Sequence, residues 1–173
     1  EQFPEIESVA NIVNVRNQDD LEKTFSENHP HCVFHAAAYK HVSLMEQHPS
    51  NAVCTNVLGT RNVVEAAVAH KVEKFVLIST DKAVKPSNVM GATKRLCEWV
   101  VARQSSEHTQ FCSGRFGNVL GSNGSVIPIF EKQISKGGPV RVTDPEMTRY
   151  FMTIPEAVEL VLSATFLAAL ENK

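Results

Sequence analysis

Phe75-Val76-Leu77-Ile78 is an unbroken apolar run that ends directly on Ser79-Thr80-Asp81-Lys82. A strand hydrophobic at every position needs cover on both faces, as in a parallel sheet with helices above and below it. Cys32–His35, Gln110–Gly114 and Asn11–Val15 carry the same kind of short β-prone run, so strands are expected at all four places. The stretches between them read as helices. Asp19–Asn28 is short and polar on one side. In Pro49–His70, Val53, Val57, Val64 and Val68 fall on one helix face. Gly91–Ser106 offers Leu96, Trp99 and Val100 as core candidates, and Ser125–Ser135 follows. A last helix begins at Thr153-Ile154-Pro155-Glu156, where T-x-x-E spacing forms a capping box and proline suits a first turn. Lys136-Gly137-Gly138-Pro139 reads as a turn after a helix. Alternation of strand and helix means an α/β fold with parallel strands and helical crossovers.

Composition narrows the function. The 173 residues carry 17 basic and 19 acidic side chains, a formal charge of −2, which speaks against a polybasic nucleic-acid or membrane-surface protein. No nucleic-acid partner is expected. The longest apolar stretch, Ala157–Leu170, contains Glu159 and falls short of the roughly 20 residues a bilayer requires. The acidic start Glu1-Gln2-Phe3-Pro4-Glu5 lacks the apolar segment of a signal peptide. Cys32, Cys54, Cys97 and Cys112 are scattered without a C-x-x-C pair, so disulfides are not expected and the cytoplasm is the expected compartment. Histidines crowd positions 29, 31, 35, 41 and 48, but no thiolate pair or compact ligand spacing accompanies them, and no metal site is expected.

Chemistry-bearing residues follow the strands. His35-Ala36-Ala37-Ala38 comes after the Cys32 run, Ser79-Thr80-Asp81-Lys82 after the Phe75 run, and Arg115-Phe116-Gly117-Asn118 after the Gln110 run. In an open parallel sheet these positions converge on the carboxyl edge, where ligands bind. A cleft is expected there.

Those segments resemble a known family. His35-Ala36-Ala37-Ala38-Tyr39-Lys40-His41-Val42, Asn56-x-x-Gly59-Thr60-x-Asn62-Val63 and Ser79-Thr80-Asp81-Lys82-Ala83 are similar to motifs of the extended short-chain dehydrogenase/reductases. Asn88-Val89-Met90-Gly91-Ala92-Thr93-Lys94, Arg115–Gly121 and Asp144–Thr153 bring the resemblance to the CapD-like UDP-N-acetylglucosamine 4,6-dehydratases of polysaccharide synthesis. It runs from about Ile12 to about Ala164. It implies a Rossmann-like, doubly wound parallel sheet. Residues 1–173 would form one partial domain, with the substrate-binding region starting near residue 116. The family's G-x-G-x-x-G turn has no counterpart before Asn11, and the glycines at 114, 117, 121 and 124 come too late to replace it. The expectation is a central piece of a longer enzyme, a poor NAD binder alone, whose parent could carry a membrane anchor and assemble as a homo-oligomer.

The resemblance also implies the chemistry. NAD oxidises C4 of a UDP-sugar, which makes the C5 proton removable, and water then leaves across C5–C6. Asp81 would protonate the leaving hydroxyl and Lys82 would take the C5 proton, roles that call for a raised carboxyl pKa and a lowered amine pKa. Met90 stands where most of the superfamily has the tyrosine of Tyr-x-x-x-Lys, with Lys94 four residues on. A thioether is no base, so Thr80 with ordered water is the expected substitute. Lys94 would hold the nicotinamide ribose. Asn14, Val15, Ala36, Ala37, Ala38, Asn56, Ser79 and Phe116 complete the implied cofactor set. Lys40, His41, Asn118, Ser125 and Arg149 form the substrate set, with the planar guanidinium of Arg149 suited to the UDP phosphates.

Two other readings stay open. A UDP-sugar 4-epimerase needs the same oxidation but has little use for Asp81 and Lys82. A non-catalytic dinucleotide-binding domain would take Met90 as a mark of lost chemistry.

Overall fold

The computed structural model describes residues 5–122, 125–142 and 144–170; the start Glu1–Pro4 and Gly124 lie outside them. Three parallel strands, β1 (Cys32–His35), β2 (Lys74–Thr80) and β3 (Gln110–Phe116), pair in the order β1-β2-β3. Phe34 lies opposite Val76, and Thr80 opposite Phe116. Helix α1 (Gln18–Asn28) precedes β1 and is capped by Asn17, whose side chain accepts the Asp19 N–H. Between β1 and β2 come α2 (Val42–Gln47), α3 (Pro49–Ala52), a π-helical stretch over Val53–Leu58 and α4 (Gly59–Ala69). Helix α5 (Val89–Ala102) links β2 to β3. Beyond β3 lie β4 (Asn118–Val119), α6 (Val126–Ser135), β5 (Phe151–Met152) and α7 (Ile154–Leu170), with β4 and β5 paired in parallel.

Phe75 and Leu77 point to one face of β2 and join Leu21, Phe25, Val63, Val64, Cys97 and Val101 in the main core. Val76, on the opposite face by alternation, is also fully buried, and α7 packs against β3 and β2. Cover on both faces accounts for the apolar run that the sequence shows there. The capping box forms as expected, with Thr153 N–H donating to Glu156 Oε2 at 2.6 Å. Gly137 and Gly138 take positive φ after α6, as a helix-terminating turn requires.

Three expectations change. Asn11–Val15 is not in a ladder; Val13 and Val15 still pack on the core, so their apolar pattern reflects packing. Pro49–His70 is not one regular helix, because the π-helical turn adds a residue to the repeat. Phase is lost there: Val64 is fully buried while Val53 is exposed. Leu96 and Trp99 lie on the outer side of α5, with the Arg95 guanidinium 5.7 Å from the Trp99 ring. The inner side carries Met90, Thr93, Lys94, Cys97, Glu98 and Val101, so a polar site replaces an aliphatic stripe. The sheet runs in chain order from β1 to β3 among the described residues, in keeping with the incomplete doubly wound sheet expected from the sequence.

No helix among the described residues is long and apolar enough to cross a membrane, and the four cysteines are free.

His35 closes β1 inside the core, its Nε2 sharing a hydrogen bond of 2.9 Å with the Thr60 hydroxyl. Burial, assisted by the charge of Lys94, pushes its pKa from 6.5 down to about 4. The unfolded chain therefore binds this proton at a pH where the folded chain refuses it. Stability present above pH 6.5 is lost as pH falls towards 4, and this gap corresponds to about 3 kcal/mol. Urea unfolding across this range should show the loss, and His35→Gln should flatten it. An unchanged pH dependence in the variant would assign the effect to other groups.

Candidate active site

The carboxyl ends of β2 and β3 open into a cleft of about 540 Å³, a size suited to a small ligand. Its floor is Ile78, Ser79, Thr80 and Phe116; Ala36, Ala38, Tyr39 and Lys40 form one wall, and α6 and α7 supply Val126, Ile127, Ile154 and Val158 on another. The three segments expected to converge do so.

Thr80 ends β2 and caps the one-turn helix Asp81–Ala83. Its hydroxyl donates to Asp81 Oδ1 at 2.9 Å. Lys82 Nζ donates to the same carboxylate oxygen at 2.9 Å and to Asn118 Oδ1 at 3.0 Å. Lys82 lines the cleft and Asp81 stands behind it. Here the sequence expectation is reversed. Partial burial pushes the Asp81 carboxyl upward, but the hydrogen bonds from Lys82 and Thr80 outweigh it and hold the group below the usual carboxylate range. In this arrangement Asp81 is an ionised anchor, not a proton donor.

Helix α5 aims its first turns at the cleft. Asn88 caps it by accepting the Gly91 N–H at 2.8 Å. A Cβ on Gly91 would sit 2.6 Å from the Lys82 carbonyl oxygen, so glycine lets the helix approach the Asp81–Lys82 turn. Met90 lines the cleft and packs with Met45, Ala52 and Val89. Lys94 is buried and donates to the Ile78 carbonyl; no other hydrogen-bond acceptor reaches it among the described residues. Burial lowers its pKa, against the opposing charges of Cys97 and Glu98. An ammonium has three donors, which leaves two N–H groups for a ligand.

Glu98, one turn beyond Lys94, is a residue that sequence reasoning missed. It accepts Arg115 through both oxygens at 2.8 and 2.7 Å, Ser79 at 2.7 Å and Arg95 at 3.0 Å. These bonds outweigh its burial and keep the carboxyl low. They tie α5 to β2 and β3 and occupy the Ser79 hydroxyl. The spacing of four from Lys94 and the arginine at the end of β3 were the available signals.

Of the expected site residues, Ala36, Ala38, Lys40, Ser79, Thr80, Lys82, Met90, Lys94, Phe116, Asn118 and Ser125 line the cleft. Asp81, Ala37, His41, Asn14, Val15, Asn56 and Arg149 do not. Asn14 uses its side-chain oxygen on the Arg16 N–H at 3.1 Å, and Val15 packs against Gly59. His41 precedes α2 without a side-chain capping bond. Arg149 is exposed and donates to the neighbouring Thr148 carbonyl. Asn56 is fully buried in the π-helical turn, its amide on Tyr39 and Thr93, so it shapes the cleft wall instead of meeting a ligand.

A family model described as polysaccharide biosynthesis protein matches residues 2–172. The chain belongs to that family. Capsular polysaccharide biosynthesis protein CapD of Staphylococcus aureus is 58% identical over 165 residues, 94% of this chain and 28% of that protein. A UDP-glucose 4-epimerase of Rickettsia rickettsii is 45% identical over 88% of this chain and 46% of its own length. The chain thus spans less than half of either relative. Among solved structures, Pen from Bacillus thuringiensis superposes with a TM-score of 0.82 at 42% identity, covering 90% of this chain and 48% of that one. The UDP-glucose 4-epimerase of Thermus thermophilus in complex with NAD superposes at 0.79 with 26% identity, covering 89% and 59%. The family's Rossmann-like α/β architecture is therefore the fold of this chain.

Proposed function

We propose that this chain carries the reaction centre of an NAD-dependent UDP-N-acetylhexosamine 4,6-dehydratase for polysaccharide synthesis, forming a 4-keto-6-deoxy sugar. The observation that carries the reading is Lys82, a cleft-lining ammonium held between the Asp81 carboxylate and Asn118. Elimination needs an acid and a base beside one another. The T. thermophilus relative was solved with NAD, and this cleft suits part of such a group: Lys94 has two N–H groups to give, and Ala36 and Ala38 leave space. NAD, when bound, supplies reversible hydride transfer.

Lys82 first passes a proton to Asp81 Oδ1 across their 2.9 Å hydrogen bond, and the neutral amine then takes the C5 proton once C4 is a ketone. Its departure from Asp81 removes the strongest hydrogen bond lowering that carboxyl and leaves burial to raise it. Asp81 then gives the proton it received to the leaving hydroxyl, and the pair returns to carboxylate and ammonium as water leaves. Thr80, whose own proton is engaged by Asp81, accepts a hydrogen bond from a sugar hydroxyl. Lys40, Asn118 and Ser125 contact the sugar nucleotide, whereas Arg149 reaches its phosphates only if its segment moves from the exposed position it holds.

The relative named UDP-glucose 4-epimerase makes a 4-epimerase the second reading. Incubation of the protein, as expressed from its gene, with UDP-N-acetylglucosamine and NAD separates them by mass spectrometry. A product lighter by one water is expected. An isomer of unchanged mass would select the epimerase, and unaltered substrate would defeat both.

A further inference from the structure

Proton transfer at the hydroxyl being oxidised has no evident owner in this cleft. Met90 cannot take a proton. Thr80 has committed its hydrogen to Asp81 Oδ1, and a carboxylate held below its usual range is a poor terminal acceptor. Tyr39 lines the same cleft and is 47% exposed. Unlike an ordinary loop tyrosine, it is pinned at both backbone atoms. Its N–H donates to Asn56 Oδ1 at 2.8 Å, and its carbonyl accepts Asn56 Nδ2 at 3.1 Å. The same Nδ2 donates to Thr93 Oγ1 at 2.9 Å, and the Thr93 hydroxyl donates to the Met90 carbonyl at 2.8 Å. A chain of hydrogen bonds, buried from Asn56 inward, therefore joins the Tyr39 backbone to the helical turn that carries Met90.

From this arrangement we infer that Tyr39 is the proton-transfer residue at the sugar hydroxyl, supplying from the β1 loop the phenol that residue 90 lacks. The inference rests on the dehydratase reading and deepens it. In the oxidation, the hydroxyl O–H bond breaks and its proton passes to the Tyr39 oxygen as the phenol's own proton passes to water at the exposed edge of the ring. The C4–H electron pair leaves with its hydrogen to NAD, and C4=O forms. The sugar is oxidised and the dinucleotide reduced; reduction at C6 later restores the dinucleotide.

Tyr39→Phe keeps both backbone bonds to Asn56, so the loop stays in place. Turnover should fall by about 10²-fold or more. Calorimetry, independent of turnover, should show the preference for UDP-N-acetylglucosamine over UDP narrowed by about tenfold, the loss of one hydrogen bond to the sugar. Thr80→Val should cost less than Tyr39→Phe. A Tyr39→Phe protein that keeps normal turnover or the normal sugar preference overturns the assignment, as does a larger loss in Thr80→Val. If the unaltered protein consumes no UDP-sugar, the dehydratase reading fails by itself, and the binding comparison still decides whether the phenol meets the sugar.

Discussion

Lys82→Met should slow water loss from the sugar by about 10²–10⁴-fold, the range that a positioned acid–base group contributes. Methionine keeps the length of the side chain but has no proton to move. The fold should tolerate the change, because the Lys82 and Asp81 side chains are each about one quarter exposed and water can replace the lost ion pair. Binding of the sugar nucleotide, measured by calorimetry, should stay within about threefold, since uniform binding contacts lie elsewhere in the cleft. The same variant discriminates between the two enzymatic readings. An epimerase needs oxidation and reduction at C4 only, so Lys82→Met would leave its turnover near normal. Asp81→Asn should also slow elimination, because Lys82 then loses its anion and Thr80 its acceptor. Normal dehydration by both variants would reduce the pair to a cap on a one-turn helix.

Much of this site was legible in the sequence because it sits where strands end. Short apolar runs located β1, β2 and β3, nearly continuous in the first two, and the polar segments after them meet at one sheet edge, as topology demands. Residues with a local signal were found: Lys94 four positions from Met90, the Asp81-Lys82 pair, and the Thr153–Glu156 capping box. What escaped the sequence depends on partners distant along the chain. The downward displacement of the Asp81 pKa comes from a lysine that folds back on it and is held by Asn118, 36 residues away. Glu98 drew no notice in the sequence because its partners Ser79 and Arg115 lie 19 and 17 positions away. The periodicity of Pro49–His70 misled for a different reason, since a π-helical turn shifts the repeat without changing composition. Asn56 combined both failures. The resemblance placed it in the cofactor set, and asparagine is unfavourable inside a helix, but nothing in its neighbourhood said that its amide would serve the backbone of Tyr39.

That amide is the next largest lever. Asn56→Ala removes three hydrogen bonds in one step and leaves the buried Thr93 hydroxyl without its Asn56 donor. Buried groups left unpaired cost about 1–3 kcal/mol each, and because they share one network the sum should be nearer 3–5 kcal/mol than the additive limit. A chain of this size has about 5–15 kcal/mol in total, so the variant should unfold at clearly lower urea while remaining folded in buffer. Its effect on the cleft should be separable from its effect on stability. With Asn56 gone, the loop from Ala36 to Lys40 loses both of the side-chain bonds that pin Tyr39, and hydrogen exchange at the Tyr39 amide should accelerate far more than exchange in β2. Equal acceleration everywhere would mean that Asn56 contributes to global stability alone. Selective loss at the loop would show that a widened helical turn beneath the cleft exists to hold its wall.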